Sequence, residues 1–342
     1  MRGMLFSWIV FVVASCAGLS PDVDEHNNLH TIIGETMGTT YTVKVVSADD
    51  TFDPARTRLA IETRLDQINS RMSHYLVDSE VATFNRSFTT EPFSLASETV
   101  DLIATANEIS RVSNGAFDIT VGPFVNAWGF GPKDPPEILP GSKALEELSA
   151  FVGYDLLVVD RGASTVQKRR KELSVDLSAI AKGHAVDAVA AILGELGLSD
   201  YLVEIGGELR ANGNGQQGRP WRVAIEWPDA GQASKTRIIE LRDQSIATSG
   251  EYRNYYERDG VRVSHTIDPR TGRPVSHELL AVSVLAPYCA LADARATALE
   301  VLGPAAGYAL AIEQGWVALF LIRGEDGRLV ERATPAFNQP LE

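Results

Sequence analysis

Tyr41, Val43 and Val45 alternate with Thr42 and Lys44. This period of two predicts a half-buried strand, and residues 29–46 read as two strands around a Met37-Gly38-Thr39 turn. The period then changes. Asp53-Pro54 is an N-cap followed by Pro at the first helical position, and Leu65, Ile68 and Met72 recur at helical spacing. A second helix is predicted from Ser97 to Ser113, with Val100, Ile103 and Val112 on one side and Gly115 as its stop. Residues 116–141, rich in Gly and Pro, read as one long loop, and the aromatics Phe117, Phe124, Trp128 and Phe130 make it a functional one.

A short helix is predicted over 142–151 with Ser142 as cap, then strands at 155–160 and 164–177. The basic run Lys168-Arg169-Arg170-Lys171 reads as a solvated hairpin end. A helix over 179–196 carries Ile180, Val189, Ile192 and Leu196, and Gly197 ends it. From 201 to 285 the pattern is mostly β, with turn signals at Asn212-Gly213, Asp259-Gly260 and Thr271-Gly272. Helices near 290–302 and 304–314 and a strand at 316–322 complete it. Strands and helices intermix without regular βαβ alternation. The expected class is therefore α+β, with mixed, largely antiparallel sheets and packed helices.

The N-terminus carries a different signal. Arg2 precedes an apolar run from Met4 to Ala14 that is broken only by Ser7. The run is too short to span a bilayer, which takes roughly 20 residues, but fits the apolar core of a secretory signal. It ends in Val13-Ala14-Ser15-Cys16, which resembles a bacterial lipobox. Residues 1–15 are thus expected to be a lipoprotein signal peptide, and residues 16–30 a lipidated Cys16 with a flexible tether. Residues 31–342 are the expected folded domain, held outside the cytoplasm on a bacterial membrane and facing the periplasm. Of the two cysteines, Cys289 is then expected to be buried and inert.

The chain has 342 residues and a net charge of −14. That balance argues against wrapping nucleic acid, since phosphate-backbone binding relies on Lys and Arg. It leaves room for a small anionic ligand held with the help of a metal ion.

Four segments carry candidate chemistry. In ADARATALEVLG, Asp293 and Thr297 lie one helical turn apart and offer two hard oxygens suited to Mg2+. The same spacing also serves an Asp at a helix N-terminus with Thr bonding back to a carbonyl. In DLSAIAKG, a strand end meets a helix start, where free amides favour phosphate and Lys182 adds a point charge. It reads equally as an ordinary junction capped by Asp176 or Ser178. His265 precedes the turn set by Pro269, Gly272 and Pro274 and is a candidate general base or a hydrogen-bonded structural His. In GAFDITVGP, an aromatic and a carboxylate either meet a planar heterocycle or hold the loop. Met37, Met72 and Tyr75 line the same cavity or pack in the core.

Taken in order, GETMGTTY, MSHYLVDSEVATFN, GAFDITVGPFVNAWGFGP, DLSAIAKGHAVD, LVEIGGELRANG, SHTIDPRTGRPV and ADARATALEVLG resemble the ApbE family, the FAD:protein FMN transferases. The resemblance covers residues 34 to 303 and implies a two-lobed single domain. It implies Mg2+-dependent transfer of FMN from FAD to a Thr or Ser hydroxyl of a target protein, such as a subunit of a membrane redox pump, with release of AMP. It implies FAD contacts at Met37, Tyr75, Ala116, Phe117, Asp118, Asp176, Lys182 and the Ile267 backbone. It implies Mg2+ ligands at the Ala179 carbonyl, Asp293 and Thr297. His265 and Lys182 are the residues expected to act on the reaction. A Mg2+-dependent FAD pyrophosphatase and a non-catalytic FAD-binding lipoprotein are the alternative functions.

Overall fold

The computed structural model describes residues 29–47, 52–131, 136, 138–226, 236–250, 255–258 and 261–338. Cys16, the apolar run before it and most of the tether lie outside the described residues. Among the described residues no helix is long and apolar enough to cross a membrane.

The chain order is β1 (Leu29–Thr36), β2 (Thr39–Val46), α1 (Pro54–Met72), α2 (Glu80–Arg86), β3 (Phe93–Ser94), α3 (Ser97–Val112), α4 (Gly122–Ala127) and α5 (Ser142–Ser149). Next come β4 (Leu157–Asp160), β5 (Thr165–Lys168), α6 (Ser178–Glu195), β6 (Tyr201–Ile205), β7 (Glu208–Asn212), β8 (Trp221–Glu226), β9 (Thr236–Leu241) and β10 (Ser245–Gly250). The chain closes with β11 (Tyr255–Arg258), β12 (Val261–Ser264), β13 (Ile267–Asp268), β14 (Arg273–Pro274), β15 (Leu279–Ala286), α7 (Cys289–Glu313), β16 (Val317–Arg323) and β17 (Leu329–Ala333). Eight strands form one antiparallel sheet in the order β1-β2-β6-β7-β10-β15-β16-β17. The expected α+β class with largely antiparallel sheets is the one observed.

The alternation read in β2 is real: Tyr41, Val43 and Val45 are buried, and all face one core. That core lies between one sheet face and α1, α3, α6 and α7. Every residue of β15 is buried, as expected of a central strand covered on both faces. The second face is covered by the β8–β9 hairpin through Trp221, Ile225 and Leu241. A separate cluster of Phe124, Trp128, Leu145, Val263 and Ile267 builds a small cap. Trp128 Nε1 donates to the Gly272 carbonyl at 2.7 Å, and the Tyr256 hydroxyl donates to the Trp128 carbonyl at 2.9 Å. The cap is thereby tied together from segments far apart in sequence.

Local details both confirm and correct the pattern. Asp53 Oδ1 accepts from the amides of Ala55 and Arg56, the expected cap of α1. The segment after β1 and β2 holds an extra helix, α2, capped by Ser79. The long loop also contains α4. Helix α5 starts at Ser142, yet Ser142 is not its cap; its hydroxyl accepts from Arg273 at 3.0 Å. The strand expected to run to 177 stops at Lys168. Leu173, Val175 and Leu177 are buried in alternation, which is the signal read as a strand. Val175 pairs instead with the Asn85 side chain, its amide donating at 2.7 Å and its carbonyl accepting at 2.8 Å.

Lys168 corrects the reading of a solvated hairpin end. It is buried, and its ammonium donates to the carbonyls of Asn85 and Ser87 at the end of α2, over the Phe84 ring. Burial pulls its pKa down to about 8. Arg169, Arg170 and Lys171 are exposed, as expected. Helix α7 joins the two predicted helices, broken at Gly303 (φ 75°) before Pro304.

Candidate active site

Helices α6 and α7 cross where their first turns meet, and the crossing assembles the site. A Cβ on Gly183 would lie 2.4 Å from the Cys289 carbonyl oxygen and 2.8 Å from Ala290 Cα, so only glycine permits this approach. The start of α7 has no cap of its own. Asp187 on α6 supplies it, accepting from the Cys289 amide at 2.9 Å and the Ala290 amide at 3.0 Å. Arg210 of β7 pairs with the same carboxylate. The Gly183 amide donates to Asp293 Oδ2 at 3.0 Å, a third link across the crossing. Ala179 and Lys182 on α6 thereby come beside Asp293 and Thr297 on α7.

These four residues line one cavity of about 1240 Å³ between the sheet, the crossing and the aromatic cap. Tyr75, Ala116, Phe117, Asp118, Asp176, His265 and Ile267 line it too. Segments spread from 39 to 301 thus converge. Met37 does not line it: the residue occupies the β1–β2 turn with φ 51°, and its side chain packs on the main core while Thr39 and Thr40 face the cavity. Met72 is buried in the same core.

The lining carries six acidic residues (Asp118, Asp176, Glu204, Glu208, Asp293 and Glu300) against one lysine among the described residues. Asp118 is committed to structure. Its Oδ1 accepts from the Thr120 amide and hydroxyl at 2.7 and 2.6 Å, and its Oδ2 from the Tyr154 amide at 2.8 Å. Burial nevertheless raises its pKa. The carboxylate therefore shapes the loop that carries Ala116 and Phe117. Asp176 sits at the start of α6, where its Oδ1 accepts from the Ser178 amide at 2.9 Å and faces His74 Nδ1 at 3.2 Å. The His74 and Tyr75 rings lie 3.9 Å apart, and Tyr75 remains largely exposed at the rim.

Deeper in, Asp293 is 3% exposed, and burial raises its pKa against the pull of Lys182. The Lys182 ammonium bonds Glu208 Oε1. Burial works against its charge, but the carboxylates of Asp293 and Glu208 outweigh burial, so its pKa is raised. Burial, with Asp293 as a like-charged neighbour, pushes Glu208 up to about 8. Thr297 Oγ1 lies 3.3 Å from Ser249 Oγ. The His265 ring meets Phe130 edge-on, with centroids 6.3 Å apart. Glu208 is the residue that the pattern missed. Its one signal is an acid opening a buried strand straight after Gly206-Gly207. Cys289 is buried; its thiol donates to the Leu209 carbonyl, and burial raises its pKa well above the ordinary range.

Fold and cavity together define a class: an α+β protein whose helix-backed antiparallel sheet carries a deep acidic cavity under an aromatic cap. The chain belongs to the ApbE family, whose sequence model matches residues 37–321. It is 43% identical over 294 residues to the FAD:protein FMN transferase of Vibrio cholerae, covering 86% of this chain and 87% of that protein. The solved structure of the flavin transferase ApbE from Vibrio cholerae superposes with a TM-score of 0.84 at 41% identity, over 90% of this chain and 98% of that one. The apo flavinyl transferase ApbE of Pseudomonas stutzeri superposes with a TM-score of 0.83 at 40% identity, over 91% and 96% of the two chains.

Proposed function

We propose that this chain moves FMN from FAD onto a Thr or Ser hydroxyl of an acceptor protein, with Mg2+ as its metal ion and AMP as the product released. The observation that carries the reading is the convergence of Asp293, Thr297, Ala179, Lys182 and His265 on one cavity. Its volume lies beyond the usual range of small-ligand pockets, so a dinucleotide fits.

The residues suit a divalent cation. Asp293 is a buried carboxylate, Thr297 adds a hydroxyl one turn on, and Ala179 has only its carbonyl to offer. Glu208 Oε2 is buried without a hydrogen-bond partner beside them. Acidic walls repel a pyrophosphate, so one lysine is too little positive charge. When bound, Mg2+ supplies the charge neutralisation that lets a pyrophosphate enter and lets AMP leave. Lys182 adds a second positive charge from the α6 side.

The chain's residues then divide the work. Tyr75 at the rim and the Ala116–Asp118 loop flank the flavin, and the cap excludes water from the phosphates. The acceptor hydroxyl oxygen bonds to the FMN phosphorus. The bond from that phosphorus to the bridging oxygen breaks, and AMP departs with the oxygen. The hydroxyl proton goes to His265, a step worth roughly 10²–10⁴-fold in rate.

For the compartment, Arg2, the apolar run and Val13-Ala14-Ser15-Cys16 support a lipid anchor. The acceptor is then a protein at the same membrane face, such as a redox-pump subunit. The test is to incubate the soluble domain with FAD, Mg2+ and such a subunit. Covalent flavin on the acceptor with equimolar AMP is expected, whereas free FMN alone would make the chain a hydrolase. His265→Ala is expected to abolish transfer while sparing FAD binding; transfer at the wild-type rate would remove His265 from the base role.

A further inference from the structure

Glu208 opens β7, an interior strand of the sheet, at 4% exposure. An apolar side chain would serve the fold there, and burying a carboxylate carries a desolvation penalty. Its retention calls for a reason in the site. Oε1 holds the Lys182 ammonium at 2.5 Å, while Oε2 has no hydrogen-bond partner. The Gly206-Gly207 turn presses the pair together. Gly206 has φ +60°, and a Cβ there would lie 3.4 Å from Lys182 Cδ and 2.9 Å from Thr39 Cγ2. Two carboxylates attract this lysine, Asp293 and Glu208. The ion pair is made with Glu208.

We infer that Glu208 is a positioning residue: it holds the Lys182 ammonium off Asp293, so that the Asp293 carboxylate stays open to the cation. The inference rests on the cation-assisted reading above. Without Glu208 the remaining anion facing Lys182 is Asp293. The ammonium then swings onto it and occupies the oxygens that a metal needs. A side chain that orients a metal ligand typically changes metal affinity or activity by about 10–100-fold when removed.

The experiment measures Mn2+ binding, as a paramagnetic stand-in for Mg2+, by electron paramagnetic resonance on the apo protein without FAD. Glu208→Gln keeps the shape and loses the charge, and is expected to weaken Mn2+ binding about 10–100-fold. Glu208→Asp keeps the charge and is expected to restore affinity to within about threefold of wild type. In a Lys182→Met background the Glu208→Gln effect is expected to shrink below about threefold, because no ammonium is left to collapse onto Asp293. Unchanged Mn2+ affinity in Glu208→Gln overturns the inference. So does an equal loss in both backgrounds, which would make Glu208 act on the metal directly. Thermal melts confirm that the variants compared are folded. If wild type binds Mn2+ as expected but transfers no flavin, the functional reading fails while this inference stands.

Discussion

Gly183→Ala is the sharpest probe of how the site is held together. The added methyl carbon would lie 2.4 Å from the Cys289 oxygen, 2.6 Å from its carbonyl carbon and 2.8 Å from Ala290 Cα, all backbone atoms that cannot rotate away. Ordinary contact begins near 3.4 Å. Helices α6 and α7 must therefore separate by about 1 Å at their crossing. Overpacking of this kind costs about 1–3 kcal/mol. Alanine in a helix interior returns about 1 kcal/mol through propensity. The net loss of stability is then about 0–2 kcal/mol, and the protein stays folded. The site does not escape so lightly. Ala179 and Lys182 ride on one helix, Asp293 and Thr297 on the other, and the Gly183 amide is itself bonded to Asp293. A displacement near 1 Å between reacting groups costs roughly 10²-fold in rate. The assay pairs a urea melt with the initial rate of covalent flavin formation. A folded Gly183→Ala protein working at roughly one-hundredth of the wild-type rate is expected. A folded variant within about threefold of wild type would refute the idea that this crossing sets the site.

Other predictions follow the same geometry. Asp293→Asn is expected to lose metal-dependent transfer by more than about 100-fold, since the buried charge goes while its shape remains; chelator titration of the rate checks it. Asp187→Ala removes the cap on the first two described amides of α7, and is expected to destabilise the fold by about 1–2 kcal/mol in denaturant melts. Glu98 on α3 accepts from His184 of α6 and pairs with Arg64 and Arg71 of α1. The His184 bond first, then Arg64, hold its pKa at about 2, below the ordinary 4.5, against the opposing effect of burial. A depressed carboxylate stabilises the fold above pH 4.5 and loses that contribution as pH falls toward 2. The shift corresponds to about 3 kcal/mol, and roughly half that after screening at partly exposed partners. Urea midpoints measured from pH 6 to 2 are expected to fall across that window in wild type and more shallowly in Glu98→Gln.

What the sequence made legible was local. The alternation in β2, the Asp53 cap and the Gly303-Pro304 break depend on neighbours within a few residues, and each appears as read. The sequence blocks, in their order, were enough to identify the family, and the residues expected to contact FAD, hold the metal or act on the reaction line the cavity, Met37 excepted. Met37 is the exception, because a turn residue beside cavity-lining Thr39 and Thr40 looks no different from them in sequence. The 169–177 segment kept a strand's period and lost its partner strand to the Asn85 side chain, ninety residues away. Lys168 looked solvated because it heads a basic run, while its carbonyl partners belong to a helix that the pattern did not reveal. Glu208 was missed for a similar reason. An acid at the head of a strand after Gly206-Gly207 gains its meaning only once the fold sets Lys182 and Asp293 against it.

The central claim is that an acidic cavity handles a pyrophosphate through a cation held between α6 and α7. Covalent flavin formation by metal-stripped protein, followed as Mg2+ is added back, tests it most directly. No transfer without the metal, full recovery with it, and no recovery in Asp293→Asn are expected. Full-rate transfer by the stripped protein would contradict the account.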